Sequence, residues 1–594
     1  MIDSREQRYR KLLDIGLALS TERHSTRLME RILNEAKSMC NADGGTLYRV
    51  VDNDQRLRFE IMRNDSLNIY NGGTSGREIT LPPVELYDPQ TGEENHKNVA
   101  SYCALSKKTI SIDDAYVFKD FDFQGTKNFD KATGYRSQSL LTVPLYNNER
   151  RVIAVLQLLN AQDPDTGEVI NFDVSLRPFV EALAAQAAIA LDNQLLVESQ
   201  KELLASFISL IAGAIDAKSS YTGGHCQRVP VLTDMLAQAA IDEKNGKFAD
   251  FDMSEEEQYE LHIAGLLHDC GKVTTPEYIV DKATKLETIY DRIHEIRMRF
   301  EVLKRDAEID YWKGLYNGGN EADLKALKDK KLAGLDDDFA FVADCNIGGE
   351  FMSPDRLERL DRIAQQKWTR TLSDRLGIGH EEATRKEAYG GREELPVEEA
   401  LLIDRAEHII QRNDKSLFED DNPFGFKMTP PDNLYNLGEL YNLKVKAGTL
   451  TPEDRFKIND HIVQTIIMLD QLPFPRHLRR VPEYAGGHHE KMNGTGYPRK
   501  LGASDMSLPA RMMAIADVFE ALTAADRPYK LPKTLSQSIK IMSFMVKDNH
   551  LDKDLFELFL TSGKYREYAE KFLKPEQIDE VDIDQYLSSP LQDS

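Results

Sequence analysis

His488-His-Glu-Lys-Met-Asn-Gly-Thr-Gly-Tyr-Pro498 is the stretch that decides how the C-terminal half of this 594-residue chain is read. Two adjacent imidazoles offer two nitrogens of the kind that bind borderline divalent metals. The glycines behind them let the backbone approach a bound group closely. A histidine pair on a solvated surface would have the same two letters, so the rest of the chain has to decide between the readings.

Working outward, four more blocks carry the same chemistry. Downstream, Asp517 stands in Ala516-Asp-Val-Phe-Glu520. Upstream, Thr451-Pro-Glu-Asp454 caps a helix with proline at its first position, and Phe456, Ile458, Ile462, Val463 and Ile466 follow at helical spacing, so His461 rides on that helix. Earlier still, Ser254-Glu-Glu-Glu257 is a capping box before Tyr259, Leu261, Ile263, Ala264, Leu266 and Leu267. That helix is predicted to end near His268-Asp269, in His268-Asp-Cys-Gly-Lys272. The fifth block is His225 in Tyr221-Thr-Gly-Gly-His-Cys-Gln-Arg228. Imidazoles mixed with a few carboxylates suit iron, manganese or zinc, and a two-oxygen carboxylate can bridge two ions. An all-oxygen magnesium site is a poor match.

Bulk properties limit the alternatives. The length calls for two or three domains, and 41% hydrophobic content is enough to build their cores. A formal charge of -24 disfavours nonspecific contact with nucleic acid or anionic lipid, so an anionic substrate needs locally concentrated positive charge. Cys40, Cys103, Cys226, Cys270 and Cys345 form no CxxC pair, which fits a reducing compartment. With no basic-then-apolar leader and no uninterrupted apolar run of about 18 residues, the expectation is a cytoplasmic chain without a membrane partner.

The five blocks, in this order, resemble the HD-GYP subgroup of the HD-domain phosphohydrolases over roughly Leu203 to Lys530, apart from a long insertion. The resemblance implies one metal held by His225, His268, Asp269 and Asp517. It implies a second that shares Asp269 and adds His461, His488 and His489, with iron or manganese as the two divalent ions. Asp269 and Lys272 would be the catalytic pair. Substrate would meet Lys272, Gly496, Tyr497, Pro498, Arg527 and Lys530. The implied activity is hydrolysis of the bacterial second messenger cyclic di-GMP to pGpG or GMP. Alternatives are another cyclic dinucleotide or nucleotide as substrate, or a non-catalytic cyclic-dinucleotide receptor.

Departures from the family pattern matter as well. His294 and His461 compete for the middle histidine; the helix leading into His461, and its distance to His488, resemble the family, so His461 is assigned. That makes about 284–448 an insertion with helical patterns, expected to be a cap or a contact surface. Tyr221 stands where some members carry a third-metal glutamate, and Asn493 where aspartate is common. The segment from Asp517 to Arg527 is one residue longer than usual.

In the N-terminal half, apolar residues recur at helical spacing from about Asp14 to Cys40. Ser139-Leu-Leu-Thr-Val-Pro-Leu-Tyr146 and Val152-Ile-Ala-Val-Leu-Gln-Leu-Leu-Asn160 then read as a hairpin about a polar turn. Around Gly134-Tyr-Arg-Ser-Gln-Ser-Leu-Leu-Thr-Val-Pro144 the chain resembles a GAF sensory domain, over about Thr21 to Asn193. Asn160-Ala161, and Phe172 without a trailing acidic pair, depart from the cyclic-nucleotide-binding pattern, so a nucleotide sensor and a ligand-free dimerisation module both stand. From Leu176 to Ile215, steps of three and four predict one long helix, either a coiled-coil seam or a helix packed on its own domain.

The expected architecture is multidomain. An α+β GAF domain, an antiparallel sheet with flanking helices, spans 14–195. A linking helix spans 176–220, an all-α HD-GYP domain with its helical insertion spans 203–549, and a C-terminal extension spans 550–594. A homodimer and an unidentified GAF ligand are the expected partners.

Overall fold

Alternation along Val152–Gln162 sends Ala154, Leu156 and Leu158 to one side of a sheet and Val155 to the other, and both sides are buried. The computed structural model describes residues 2–22, 24–218, 224–389, 394–525 and 532–587. The chain separates into two units, Met1–Ala205 and Ser206–Ser594.

Among the described residues, the N-terminal unit holds one sheet: β1 (Ala42–Val51), β2 (Arg56–Asn64), β3 (Ile69–Gly72), β4 (Val84–Glu85), β5 (Ile110–Ile112), β6 (Leu140–Tyr146), β7 (Val152–Gln162) and β8 (Val169–Ile170). Its order is β3-β2-β1-β7-β6-β5, with β4 on β2 and β8 on β7, and the pairs are antiparallel. The expected hairpin is β6 with β7. One face is covered by Ser25–Cys40, through Leu28, Met29, Ile32, Leu33 and Ala36, and by Val180, Leu183, Ala184, Ala187, Ala188 and Leu191 of the helix Arg177–Lys218. The helical run from Asp14 is in fact two helices, Ile2–Thr21 and Ser25–Cys40, because His24 is extended (φ -107°, ψ 119°). Asn160 is fully engaged within the unit: its Oδ1 accepts from the Gln138 and Ser139 amides at 2.7 and 3.2 Å, and its Nδ2 donates to Tyr135 Oη and Arg136 O.

The helix Arg177–Lys218 is the long element expected at 176–220. Its first part packs on its own sheet, whereas Ile189, Leu196, Leu203 and Leu210 are exposed. By length and composition the segment Val174–Lys218 could cross a membrane, although 39% of its most apolar window is buried in the protein.

In the second unit the chemistry-bearing blocks fall on short, sharply ended helices. The Ser254 and Thr451 capping boxes are both formed, starting Glu255–Leu267 and Pro452–Asp470. Residues 284–448 have a core of their own: Ile293–Tyr316 and Glu321–Ile347 make a helical hairpin that buries Ile296, Phe300, Leu335 and Val342. The helical reading of this insertion needs one correction. Two small ladders, Lys367–Arg370 with Val397–Ala400 and Ile409–Gln411 with Asn433–Asn436, interrupt the helices. Strands of three or four charged and apolar residues are too short to show a period.

Beyond residue 549, the helices Lys553–Thr561 and Lys564–Phe572 dock on Leu508–Thr523, the helix that carries Asp517. The Phe519 ring lies 5.0 Å from Phe559 and 5.8 Å from Tyr568, and Arg511 bonds Asp552 at 3.0 Å. Phe519→Ala should therefore cost the second unit about 3–5 kcal/mol, read as a lower denaturant midpoint for its transition. A loss below about 1 kcal/mol would mean that these helices are not docked in solution.

Candidate metal centre

His268 follows the last residue of Glu255–Leu267, and Asp269 begins the 3₁₀ turn Cys270–Thr274, so a helix end aims both inward. His225 opens the helix His225–Asp242, His461 lies mid-way along Pro452–Asp470, and Asp517 lies on Leu508–Thr523. His488 and His489 follow the short helix Val481–Gly487. These side chains gather into two groups, Asp269 with His461, His488 and His489, and His225 with His268 and Asp517; ligand atoms within each group lie within 4.8 Å of one another. His294 is elsewhere, exposed on the insertion hairpin with its Nδ1 2.6 Å from Arg297.

Asp269 joins the groups. Its Oδ2 is 3.2 Å from both His225 Nε2 and His268 Nε2, and its Oδ1 is 3.2 Å from His461 Nε2. Asp517 Oδ1 is 3.3 Å from His225 Nε2. The Nδ1 atoms of His268, His461 and His488 face the carbonyls of Gly265, Ile458 and Ala485 at 2.6, 2.5 and 2.7 Å. These partners assign the proton to Nδ1 and turn the Nε2 lone pairs toward the centre.

Acceptors consequently face acceptors. His225 Nε2 and His268 Nε2 are 3.2 Å apart, and His461 Nε2 and His489 Nε2 are 3.1 Å apart. Asp269 Oδ1 and His488 Nε2 are buried without a hydrogen-bond partner. Only a cation, a proton or a metal ion, relieves such a geometry. Imidazole nitrogens mixed with carboxylate oxygens are a donor set that fits borderline divalent metal ions.

Electrostatics divide the histidines. Burial opposes charge on His225, yet Asp269, Asp517 and Glu520 outweigh it and raise its pKa well above the ordinary value. His488 is pushed down to about 4, by burial first and then by neighbouring His268. Burial and the adjacent His488 and His461 hold His489 well below its usual range. Burial alone would raise Asp269, but the charges of Lys272 and His268 keep it well below the usual carboxylate range. Lys272 forms an ion pair with Asp269 Oδ2, and the ammonium of Lys218 donates to the carbonyls of Lys272 and Thr275 at 3.3 and 2.8 Å.

The glycine-tyrosine-proline loop is arranged around Glu490, a buried carboxylate that accepts from the amides of Arg499 and Leu501 at 2.6 and 2.9 Å. Gly496 lies against the Glu490 backbone, where a Cβ would approach to 2.5 Å, and the Tyr497 ring stacks on His489 at 4.9 Å. Pro498 is buried beside it. Arg527, Lys530 and Tyr221 lie outside the described residues.

Sequence reasoning overlooked Glu520. It accepts from His225 Nδ1 and binds Arg228, whose Nε lies 2.7 Å from Glu520 Oε1. Its position one helical turn after Asp517, on the same face, was the available signal. Gly271 was also underread. A Cβ there would sit 1.9 Å from His461 O and 2.5 Å from Thr465 N, so only glycine lets the His461 helix close on Asp269.

Two outcomes follow from this geometry. Gly271→Ala should lower metal content while leaving the helical signal, because the methyl group displaces the helix carrying His461; unchanged metal content would refute the close approach. In the metal-free protein the raised His225 pKa contributes stability that is complete below the ordinary histidine pKa and fades as pH rises through the raised one. A metal must displace that proton. Metal uptake near neutral pH should therefore release protons into unbuffered solution, and affinity should climb as pH rises above the ordinary histidine range. A flat profile would refute it.

A family described as HD domain matches residues 396–555, which include His461, His488, His489 and Asp517, and a family described as GAF domain matches 25–191. The "3'3'-cGAMP-specific phosphodiesterase 1" of Vibrio cholerae is 34% identical over 134 residues, 22% of this chain and 30% of that protein. A "Probable cyclic di-GMP phosphodiesterase" from the same organism is 31% identical over 157 residues, 25% of this chain and 35% of that protein. The chain thus spans about a third of the length of these curated relatives. Among solved structures, a GAF domain of an Acinetobacter phosphoenolpyruvate-protein phosphotransferase shares 13% identity, with a TM-score of 0.24, over 32% of this chain and 98% of that one. One segment of the chain, residues 25–191, thus matches the GAF domain family, and a second, residues 396–555, matches the HD domain family.

Proposed function

We propose that this protein is a metal-dependent phosphodiesterase that hydrolyses cyclic di-GMP to pGpG or GMP under control of its GAF domain. The observation that carries the reading is the buried Asp269 carboxylate with imidazole nitrogens facing both of its oxygens. The names of relatives that act on cyclic dinucleotides support the substrate class.

Two divalent ions, iron or manganese, held there would lower the pKa of a water and screen phosphodiester charge. The chain's own groups do the remaining work. Carbonyls orient the imidazoles, and the Lys272 ammonium beside Asp269 supplies positive charge for a phosphate oxygen in a strongly acidic protein. Tyr497, held flat on His489, offers an aromatic wall for a base, while Gly496 and Pro498 fix its loop. Arg527 and Lys530 are proposed as further phosphate contacts. Exposed Ile189, Leu196, Leu203 and Leu210, spaced seven apart on one helix, support a homodimer paired along that helix. Regulation is supported by Lys218, the last residue of the same helix, which bonds the turn carrying Lys272.

A second reading has its own support, since three of the relatives are named for 3'3'-cGAMP. Metal-loaded protein should be offered cyclic di-GMP, 3'3'-cGAMP and cyclic di-AMP. Cyclic di-GMP turnover is expected, with Asp269→Ala lowering it by more than the roughly 10–100-fold typical of outer-shell partners. Preference for 3'3'-cGAMP selects the second reading, and no turnover of any of the three defeats both. Lys218→Met should change the rate while both metals stay bound; an unchanged rate removes that route of control.

A further inference from the structure

The segment 412–432 leaves the ladder Ile409–Gln411 with Asn433–Asn436 as a strap belonging to the insertion. A tight turn shapes it: Asn422 Oδ1 accepts from the Phe426 amide and its Nδ2 donates to Phe426 O, both at 2.9 Å, with Gly425 at φ 70° between them. That turn drives Phe426, 3% exposed, against Ile462, Val463 and Ile466 on the helix of His461. The same helix is gripped nearer its start, where the Arg412 guanidinium lies 4.6 Å over the Phe456 ring and Phe418 meets that ring edge-on at 5.3 Å.

The strap's other side holds the loop after His488-His489. Arg499 Nε donates to Phe424 O at 2.9 Å, the Lys427 amide donates to Pro498 O at 2.8 Å, and Tyr497 packs on the Phe426 cluster. Tyr497 in turn stacks on His489, whose Nε2 faces His461 Nε2 at 3.1 Å. These contacts fall on the two elements that supply His461, His488 and His489. His225, His268 and Asp517 are placed by other helices.

We infer that the insertion strap is a positioning clamp for one of the two metal sites: it sets the distance between the His461 helix and the His489 loop, and so governs occupancy of the Asp269, His461, His488, His489 position independently of its neighbour. The inference rests on the two-metal reading above. Phe426 and Arg499 are its positioning residues. A clamp of this kind lets the insertion convert a two-metal centre into a one-metal centre without touching a ligand.

The test is metal stoichiometry by elemental analysis on the full-length chain, alongside manganese titration. Wild type should hold two ions. Phe426→Ala and Arg499→Ala should keep one and bind the other about 10–100-fold more weakly. Arg499→Lys, which retains charge but not the directed Nε bond, should fall between. Trp312→Ala, 65% exposed on the insertion hairpin, should match wild type. The remaining ion reports that each variant is folded. Two tightly held ions in both alanine variants, or loss of both ions together, would overturn the clamp. Wild type that holds two ions yet cleaves no cyclic dinucleotide would defeat the proposed activity and leave the clamp standing.

Discussion

Asp269 is an ionised carboxylate only 1% exposed, and the second unit is organised around making that tolerable. A buried charge without compensation costs several kcal/mol. Here compensation comes from Lys272 in the next turn and from His225, while the Nε2 lone pairs of His268 and His461 add a demand for positive charge at the same carboxylate. Helices that share little sequence proximity converge because each delivers one group to that carboxylate.

The convergence depends on backbone as much as on side chains. Three imidazoles are oriented by carbonyls within their own helical turn, so each ligand arrives already rotated. Gly271 lets two backbones meet where any side chain would hold them apart, and Gly496 does the same against Glu490. Glu520 extends the arrangement outward by fixing His225 and tying it to Arg228. Orientation set by local turns loses little entropy on binding an ion, which favours tight and geometrically selective sites.

Local signals made much of this legible in the sequence. Thr451 and Ser254 announce their helices because a capping box is a four-residue device, and the β6–β7 hairpin is announced by two apolar runs of seven or more residues about a polar turn. The residues that gather around Asp269 were readable as candidates because metal chemistry admits few side-chain types. What escaped is long-range or short in extent. Lys367–Arg370 pairs with Val397–Ala400 through a cross-strand Arg370–Glu399 bond at 2.9 Å, which no periodicity reveals. Glu520 looks like any helical glutamate until His225, far away in sequence, is placed beside it. The contact of Phe426 with the His461 helix likewise belongs to tertiary packing alone.

The spread of the ligands along the chain also has a meaning in time. Roughly 290 residues separate His225 from Asp517, which at ribosomal speeds is about 15–60 s of synthesis. Throughout that interval the first histidines wait without their partners, beside Cys226 and Cys270, thiols that end up buried in the finished fold. The late arrival of Asp517 means that the full set of side chains around Asp269 is on hand only after residues 225–517 have all been made.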